Sequence, residues 1–246
     1  DKDQGLLPGT DTKPMTKALV CMWEHYGAQR YLIGKNPTDD NGYYDFLGTV
    51  VDTTQNWHSI FTVVVTTGPH YQFPQAYKVR VRSDTVSQYP EWPIAPWWRD
   101  WSGVIDTVAA GDTVDRGTYY FGERWGLYPN RHQPGSGAAN IYDNLLGGYE
   151  YVVDTLGLSF PLYLIAVWEP GYQRGSWYCV GDDSIEIYGA DNYDTDEWDD
   201  GVILHEFGHF VMDEYAELRA GVDPAWPYDY SPPRYARRYL RDAWQE

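Results

Sequence analysis

The segment VILHEFGHFVMDEY, residues 202–215, brings two histidines and three carboxylates close together in the sequence. In an α-helix, residues four apart lie on one face about one turn from each other, so His205 and His209 can direct ring nitrogens at the same ion. Glu206 follows the first histidine directly, where its carboxylate can take a proton from a water molecule that the metal activates. The H-E-x-x-H spacing therefore predicts a Zn²⁺ site with Glu206 as general base.

The residues around the two histidines predict that this helix is buried, because a helix that is apolar nearly all round belongs in a domain core. The uncharged neighbours are Val202, Ile203, Leu204, Phe207, Gly208, Phe210 and Val211. One alternative is a buried helix whose histidines are satisfied by hydrogen bonds alone. Without a metal, however, burying two histidines and a carboxylate costs several kcal/mol unless each finds a partner. A zinc site without activity is the other alternative.

VILHEFGHFV resembles the active-site helix of the zincin metallopeptidases. The resemblance implies that His205 and His209 are zinc ligands and that Glu206 is the general base and proton shuttle. The order of the preceding helix, strand and edge strand, about residues 140–188, is similar to that of a zincin upper subdomain. There the edge strand would bind an extended peptide through backbone hydrogen bonds. The implied partner is a peptide or protein substrate, with endopeptidase activity favoured over exopeptidase activity.

A catalytic zinc usually has three protein ligands, so a third ligand must be found. The metzincin pattern is excluded, because Met212 and Tyr215 occupy the positions of its glycine and third ligand. Asp213 lies eight residues after His205, about 12 Å along a straight helix, which is awkward for a shared ion. We expect Asp213 to support the site or to form an ion pair.

The segment RYARRYLRDAWQE, residues 234–246, resembles the second active-site helix of the gluzincins, in which a ligand glutamate faces the HExxH helix. By this resemblance Glu246 is the expected third zinc ligand, with Asp213 and Glu214 as fallbacks. A gluzincin would continue beyond this glutamate into a lower subdomain. We therefore expect either a fragment of a longer protein or an open cleft.

Three segments must position the HExxH helix. ANIYDNLLGGYEYVVDTLGL predicts a helix that Gly157 terminates, FPLYLIAVW predicts a buried strand, and SIEIYG predicts a half-buried or edge strand. Asp199 or Asp200 is expected to cap the HExxH helix. The inward face of the first helix is predicted to be formed by Ile141, Leu145, Tyr149, Val152 and Leu156.

The N-terminal part of the chain has the short β-branched and aromatic runs of an antiparallel sandwich. The predicted strands are ALVCMWEHY, YYDFLGTVV, SIFTVVVTT and AYKVRVRS, with a turn at TDDNG. NPTDDNGYYDF resembles the hairpin of transthyretin-like, carboxypeptidase-regulatory-like modules, which implies no chemistry. The expected fold is therefore α+β, an antiparallel β-sandwich followed by a zincin-like mixed α/β domain. The predicted division is a flexible N-terminus at 1–14, the sandwich at 15–87, a Pro/Trp-rich connector at 88–116 and the zincin-like domain at 117–246.

The composition of the chain limits the classes of molecule that it is expected to bind. A net charge of −18 disfavours nucleic acid and anionic lipid, and no apolar run is long enough for membrane insertion. We expect a secreted protein whose signal peptide has been removed, because residues 1–17 have neither the basic start nor the apolar segment of such a signal. A non-catalytic adhesive or filament-forming subunit, capable of self-association, is the alternative function. The tryptophans of the connector favour packing over a sugar-binding or peptide-binding platform.

Two smaller questions stay open at the level of sequence. The acidic stretch at residues 181–201 suits either a Ca²⁺ site or a solvated loop. Cys21 and Cys179 are compatible with one inter-domain disulfide or with two free thiols.

Overall fold

The structure is a computed structural model, and it is a mixed α+β fold with two sheets and two α-helices in its described part, as predicted. It describes residues 14–26, 29–45, 47–51, 57–65, 79–82, 99–101, 106–109, 111–115, 117, 134–158, 164–168, 175–179, 184–189 and 196–220. The strands of this part are β1 Leu19–Tyr26, β2 Gln29–Pro37, β3 His58–Val65, β4 Val79–Arg82, β5 Arg99–Trp101, β6 Asp106–Val108, β7 Leu164–Trp168, β8 Trp177–Cys179 and β9 Ser184–Ile187. The α-helices are α1 Pro134–Glu150 and α2 Asp200–Ala220. No described helix combines the length and hydropathy that crossing a bilayer requires.

The first sheet is antiparallel, with the strand order β2-β1-β3-β5, and β6 pairs with the other end of β3. The predicted strands ALVCMWEHY and SIFTVVVTT are confirmed as β1 and β3. The prediction of a strand at YYDFLGTVV is wrong, since its described residues form no strand. The hairpin partner of β1 is instead β2, QRYLIGKNP, whose apolar signal is weak because most of its side chains lie at the exposed edge of the sheet.

A turn at residues 38–42 redirects the chain after β2. The Asp39 carboxylate accepts hydrogen bonds from the backbone N–H groups of Asn41 and Tyr43, and Gly42 takes a positive φ of 78°. The turn at TDDNG is therefore confirmed, although it leads into an irregular segment rather than into a second hairpin strand. That segment lies against the first sheet, where the Thr49 N–H donates to the Ile33 carbonyl at the bulge in β2.

The second sheet has the order β4-β7-β9-β8, in which β4, β7 and β9 are parallel and β8 is antiparallel. The buried strand predicted at FPLYLIAVW is confirmed as β7. SIEIYG forms β9, which has a neighbour on each side, so its prediction as an edge strand is wrong. Among the described strands β8 is the edge on this side, and it was missed because WYC is too short to show a period.

Strand pairing crosses the predicted domain limits. AYKVRVRS, assigned to the sandwich, supplies β4 of the second sheet. Two strands of the predicted connector, β5 and β6, pair with β3 of the first sheet. Such pairings are non-local, and a run of four residues such as VRVR does not encode which sheet it joins. The division of the chain into domains at residues 87 and 117 stays a prediction. The two sheets each contain strands from both sides of at least one of these limits.

Helix α1 continues into a π-helical turn, Tyr151–Thr155, and Gly157 ends it with a φ of 67°. Ile141, Leu145, Tyr149 and Val152 are buried as predicted. Leu156 is half-exposed, so its assignment to the inward face is wrong. The i→i+5 bonding of the π turn adds a residue to the turn and rotates the residues after it away from the α-helical face.

The largest hydrophobic cluster joins α1 to both sheets and to α2. Val20 and Val64 reach it from the first sheet, while the other face of that sheet forms a second cluster of Cys21, Trp23, Phe61 and Val63. Cys21 and Cys179 are both free thiols, so the hypothesis of a disulfide between them is wrong. Burial raises the pKa of Cys21 to about 12, opposed by the nearby charge of Lys35, so Cys21 is a protonated core residue at neutral pH.

A buried ion-pairing contact lies on the first sheet. Glu24 Oε1 is 2.6 Å from His58 Nδ1, and the Val51 N–H donates to Glu24 Oε2 at 2.6 Å. Both side chains are almost completely enclosed. Glu24 thus serves two donors at once, and one of them belongs to the irregular segment that follows the turn at residues 38–42.

Replacing Glu24 with alanine is expected to lower the free energy of unfolding by about 2–5 kcal/mol, because His58 and the Val51 N–H lose their buried acceptor. Urea denaturation measures this change. Asp154→Ala, which removes an exposed carboxylate, is the control. Equal losses in the two variants would contradict the structural role of the buried pair.

A glycine of α1 lies against an aromatic ring of α2. A Cβ atom at Gly148 would lie 2.8 Å from two ring carbons of Phe207, whereas a Cβ at Gly147 would meet nothing within 4 Å. Gly148→Ala is therefore expected to cost about 1–3 kcal/mol of stability by overpacking. Gly147→Ala should instead stabilise the protein by up to about 1 kcal/mol, since alanine is the better helix former. Thermal unfolding of both variants tests the contact, and the same sign of change in both would refute it.

Candidate metal centre

Polar contacts fix the start of α2. The Asp199 carboxylate accepts hydrogen bonds from the N–H groups of Gly201 and Val202, so the predicted cap is confirmed at Asp199. Asp200 accepts hydrogen bonds from the side-chain amides of Asn140 and Asn144 on α1, at 3.3 and 2.9 Å. These bonds set the axial position of α2 relative to α1, and with it the position of the histidines that follow.

One side of α2 is packed and the other is open. Ile203, Phe207 and Phe210 are buried against α1 and the second sheet. On the opposite side Leu204 is 42 % exposed and His205 is also exposed. The prediction of a helix buried all round is therefore wrong for the described part of the chain, where a single side is covered. The histidine side is accessible to a ligand.

The two histidines converge. His205 Nε2 and His209 Nε2 lie 3.0 Å apart, and the rings are nearly perpendicular, with centroids 4.6 Å apart. Two nitrogens bound to one tetrahedral zinc at about 2.0–2.1 Å would be separated by about 3.3 Å. The donor types and their separation therefore fit a zinc ion. They also fit a hydrogen bond between the rings, which measurement of bound metal would distinguish.

Glu206 completes a cluster with the two histidines. One potential ligand atom from each of the three residues lies within 4.8 Å of the others, and the described residues contain no second such group. Glu206 is only 8 % exposed, and the backbone N–H of Tyr178 in β8 donates to its carboxylate. Burial raises the pKa of Glu206, and a positive charge on His205 and the Tyr178 hydrogen bond oppose this. The carboxylate is thus held beside the position that a metal would occupy.

The three predicted third ligands have different outcomes. Asp213 is buried and accepts a hydrogen bond from the Tyr178 hydroxyl at 2.9 Å, so it supports the strand beside the site and is not part of the three-residue cluster. Glu214 is nine residues after His205, which places it on the opposite side of a regular helix. Neither fallback residue belongs to the three-residue cluster, and their roles as ligands stay predictions. Glu246 lies outside the described residues, and its role stays a prediction.

The acidic stretch that precedes α2 is partly described. Asp199 and Asp200 accept the hydrogen bonds given above, and Asp196 accepts one from Ser176 Oγ at 2.5 Å. In the described part of this stretch the carboxylates do not form a calcium-type group. Asp182, Asp183, Asp191 and Asp194 lie outside the described residues, as do Trp92, Trp97 and Trp98 of the connector.

The role of Tyr178 was missed in the sequence. The signal was present only as an aromatic residue in WYC, and its meaning depends on the pairing of β8 with β9 and on the approach of α2.

Comparison of the chain with models of protein families, with functionally described proteins and with solved structures gives no match in any of the three.

Proposed function

We propose that this protein is a secreted zinc-dependent peptidase in which His205 and His209 bind the metal and Glu206 is the general base. The observation that carries the proposal is the convergence of the two Nε2 atoms at 3.0 Å, with a buried carboxylate held beside them. In this proposal α1, β7, β9, β8 and α2 belong to a zincin-type domain. The first sheet belongs to a β-sandwich in front of it.

The arrangement supports peptide hydrolysis. A bound zinc would supply a Lewis acid that polarises the scissile carbonyl and increases the acidity of water. Glu206 would accept a proton from the water that adds to the carbonyl carbon and would deliver it to the departing amine nitrogen as the C–N bond breaks. The open side of α2 would admit the substrate, and β8, the edge strand of the sheet as far as the described residues show it, suits backbone pairing with an extended peptide.

Zinc content is the first test. Elemental mass spectrometry should find about one zinc per chain in the wild type, as a single three-ligand site requires. Loss of a residue that only supports a ligand typically lowers metal affinity about 10–100-fold. If Glu246 is itself the third ligand, Glu246→Ala should lower zinc affinity by more than this. Asp242→Ala, which removes another carboxylate of the same segment, should not. A wild type without zinc would refute the proposed site, and equal affinity in both variants would refute Glu246 alone.

Glu206→Gln separates metal binding from catalysis. The variant should retain zinc, because the two histidines are unchanged, and should lose at least about 10²–10⁴-fold in kcat on an unfolded protein such as casein, because the amide cannot accept the proton. Wild-type turnover in this variant would refute the mechanism. The comparison requires equal zinc content in the two preparations.

A structural role is the second candidate. Tyr43, Leu47 and Trp57 on the side of the first sheet are large apolar residues with high exposure, reaching 98 % for Leu47. Contact with another molecule would remove these three side chains from water, as an assembly subunit requires. Sedimentation velocity would show self-association at low concentration if the protein is an assembly subunit, and the same preparation would then lack cleavage of casein.

A further inference from the structure

We infer that Tyr178 and Asp213 are positioning residues, which together hold strand β8 against α2 so that the Tyr178 backbone keeps Glu206 directed at the histidine pair. The catalytic part of this inference rests on the proposed function. The mechanical part, a tether between β8 and α2, stands independently of it.

Tyr178 contacts α2 at three levels. Its backbone N–H donates to the Glu206 carboxylate, its ring packs edge-on against Phe210 with centroids 6.0 Å apart, and its hydroxyl donates to Asp213 Oδ2 at 2.9 Å. Glu206 and Asp213 are seven residues apart, two turns of helix, and therefore lie on the same side of α2. One tyrosine thus spans two successive turns of this face.

Strand β8 needs such a tether. It has three residues and pairs with β9 on one side, since in the described sheet it is the edge. Strands this short are marginal by themselves. Ser176, just before β8, fixes its entry by donating to Asp196 and accepting from the Tyr188 N–H. The Tyr178 hydroxyl provides an attachment to α2 within the strand itself.

The hydrogen bond from Tyr178 compensates for the burial of the Asp213 carboxylate. Asp213 is only 5 % exposed, and a buried carboxylate requires hydrogen-bond donors to offset its loss of water. The Tyr178 hydroxyl, 2.9 Å from Asp213 Oδ2, is such a donor. Its loss should therefore loosen β8 locally and leave Glu206 less well oriented.

Tyr178→Phe tests the inference because it keeps the ring and the backbone N–H and removes only the hydroxyl. Hydrogen exchange of the residue 178 amide, followed by NMR in the metal-free protein, should become at least about tenfold faster. Exchange in α1 should not change. Tyr151→Phe, the same substitution at an exposed tyrosine, is the matched control and should leave the 178 amide as in the wild type.

Two further variants identify the partners. Asp213→Ala should accelerate exchange at residue 178 as Tyr178→Phe does, whereas Asp213→Asn, which keeps an acceptor oxygen, should restore slower exchange. In zinc-loaded protein Tyr178→Phe should lower kcat at unchanged zinc content and with little change in KM. Unchanged exchange at residue 178, or equal acceleration throughout α1, would overturn the tether. Absence of zinc and turnover in the wild type would refute the proposed function and leave the exchange test intact.

Discussion

The packing of α2 against α1 is the constraint on which the candidate site depends. Gly148 allows the Phe207 ring to approach the backbone of α1, and the amides of Asn140 and Asn144 hold Asp200 at the start of α2. Phe207 directly follows Glu206, so a shift of α2 at this contact would move Glu206 and both histidines together. Helix α1 also contacts both sheets through the main core. The same helix therefore fixes the position of the candidate site relative to the first sheet. The hydroxyl of Tyr142 donates to the Lys17 carbonyl, and Lys17 also pairs with Glu150.

Local patterns in the sequence were sufficient for elements whose structure is decided by neighbouring residues. The spacing of His205 and His209, the cap at Asp199 and the helix end at Gly157 each depend on a few consecutive positions. The failures involve partners distant in the chain. The alternation in VRVR predicts a strand but not its parallel pairing with β7, and SIEIYG does not reveal that WYC covers its free edge. The prediction for Leu156 failed because a π-helical turn changes the period just before the correctly predicted end at Gly157.

The candidate metal site could be predicted only in part, and the reason is again a physical one. Two ligands four residues apart are encoded within one helix, but a third must come from a segment whose approach depends on tertiary packing. Asp213 shows why spacing alone is a poor guide, because it is near the histidines in sequence and yet its carboxylate is bound by a tyrosine of β8. The open side of α2, where His205 and Leu204 are exposed, is the side from which a further ligand could approach.

Three buried carboxylates, those of Glu24, Asp213 and Glu206, differ in the groups that donate hydrogen bonds to them. Glu24 is close to His58 and accepts from Val51, and Asp213 accepts from a tyrosine hydroxyl. Glu206 accepts a backbone N–H, which leaves much of the capacity of its two oxygens for a proton or another donor. Burial first and the charge of Asp196 second raise the pKa of Glu206, whereas a cation between the histidines would favour the ionised form. The burial that makes this carboxylate costly by itself would therefore make its protonation responsive to a neighbouring metal, which the proposed role of Glu206 as general base requires.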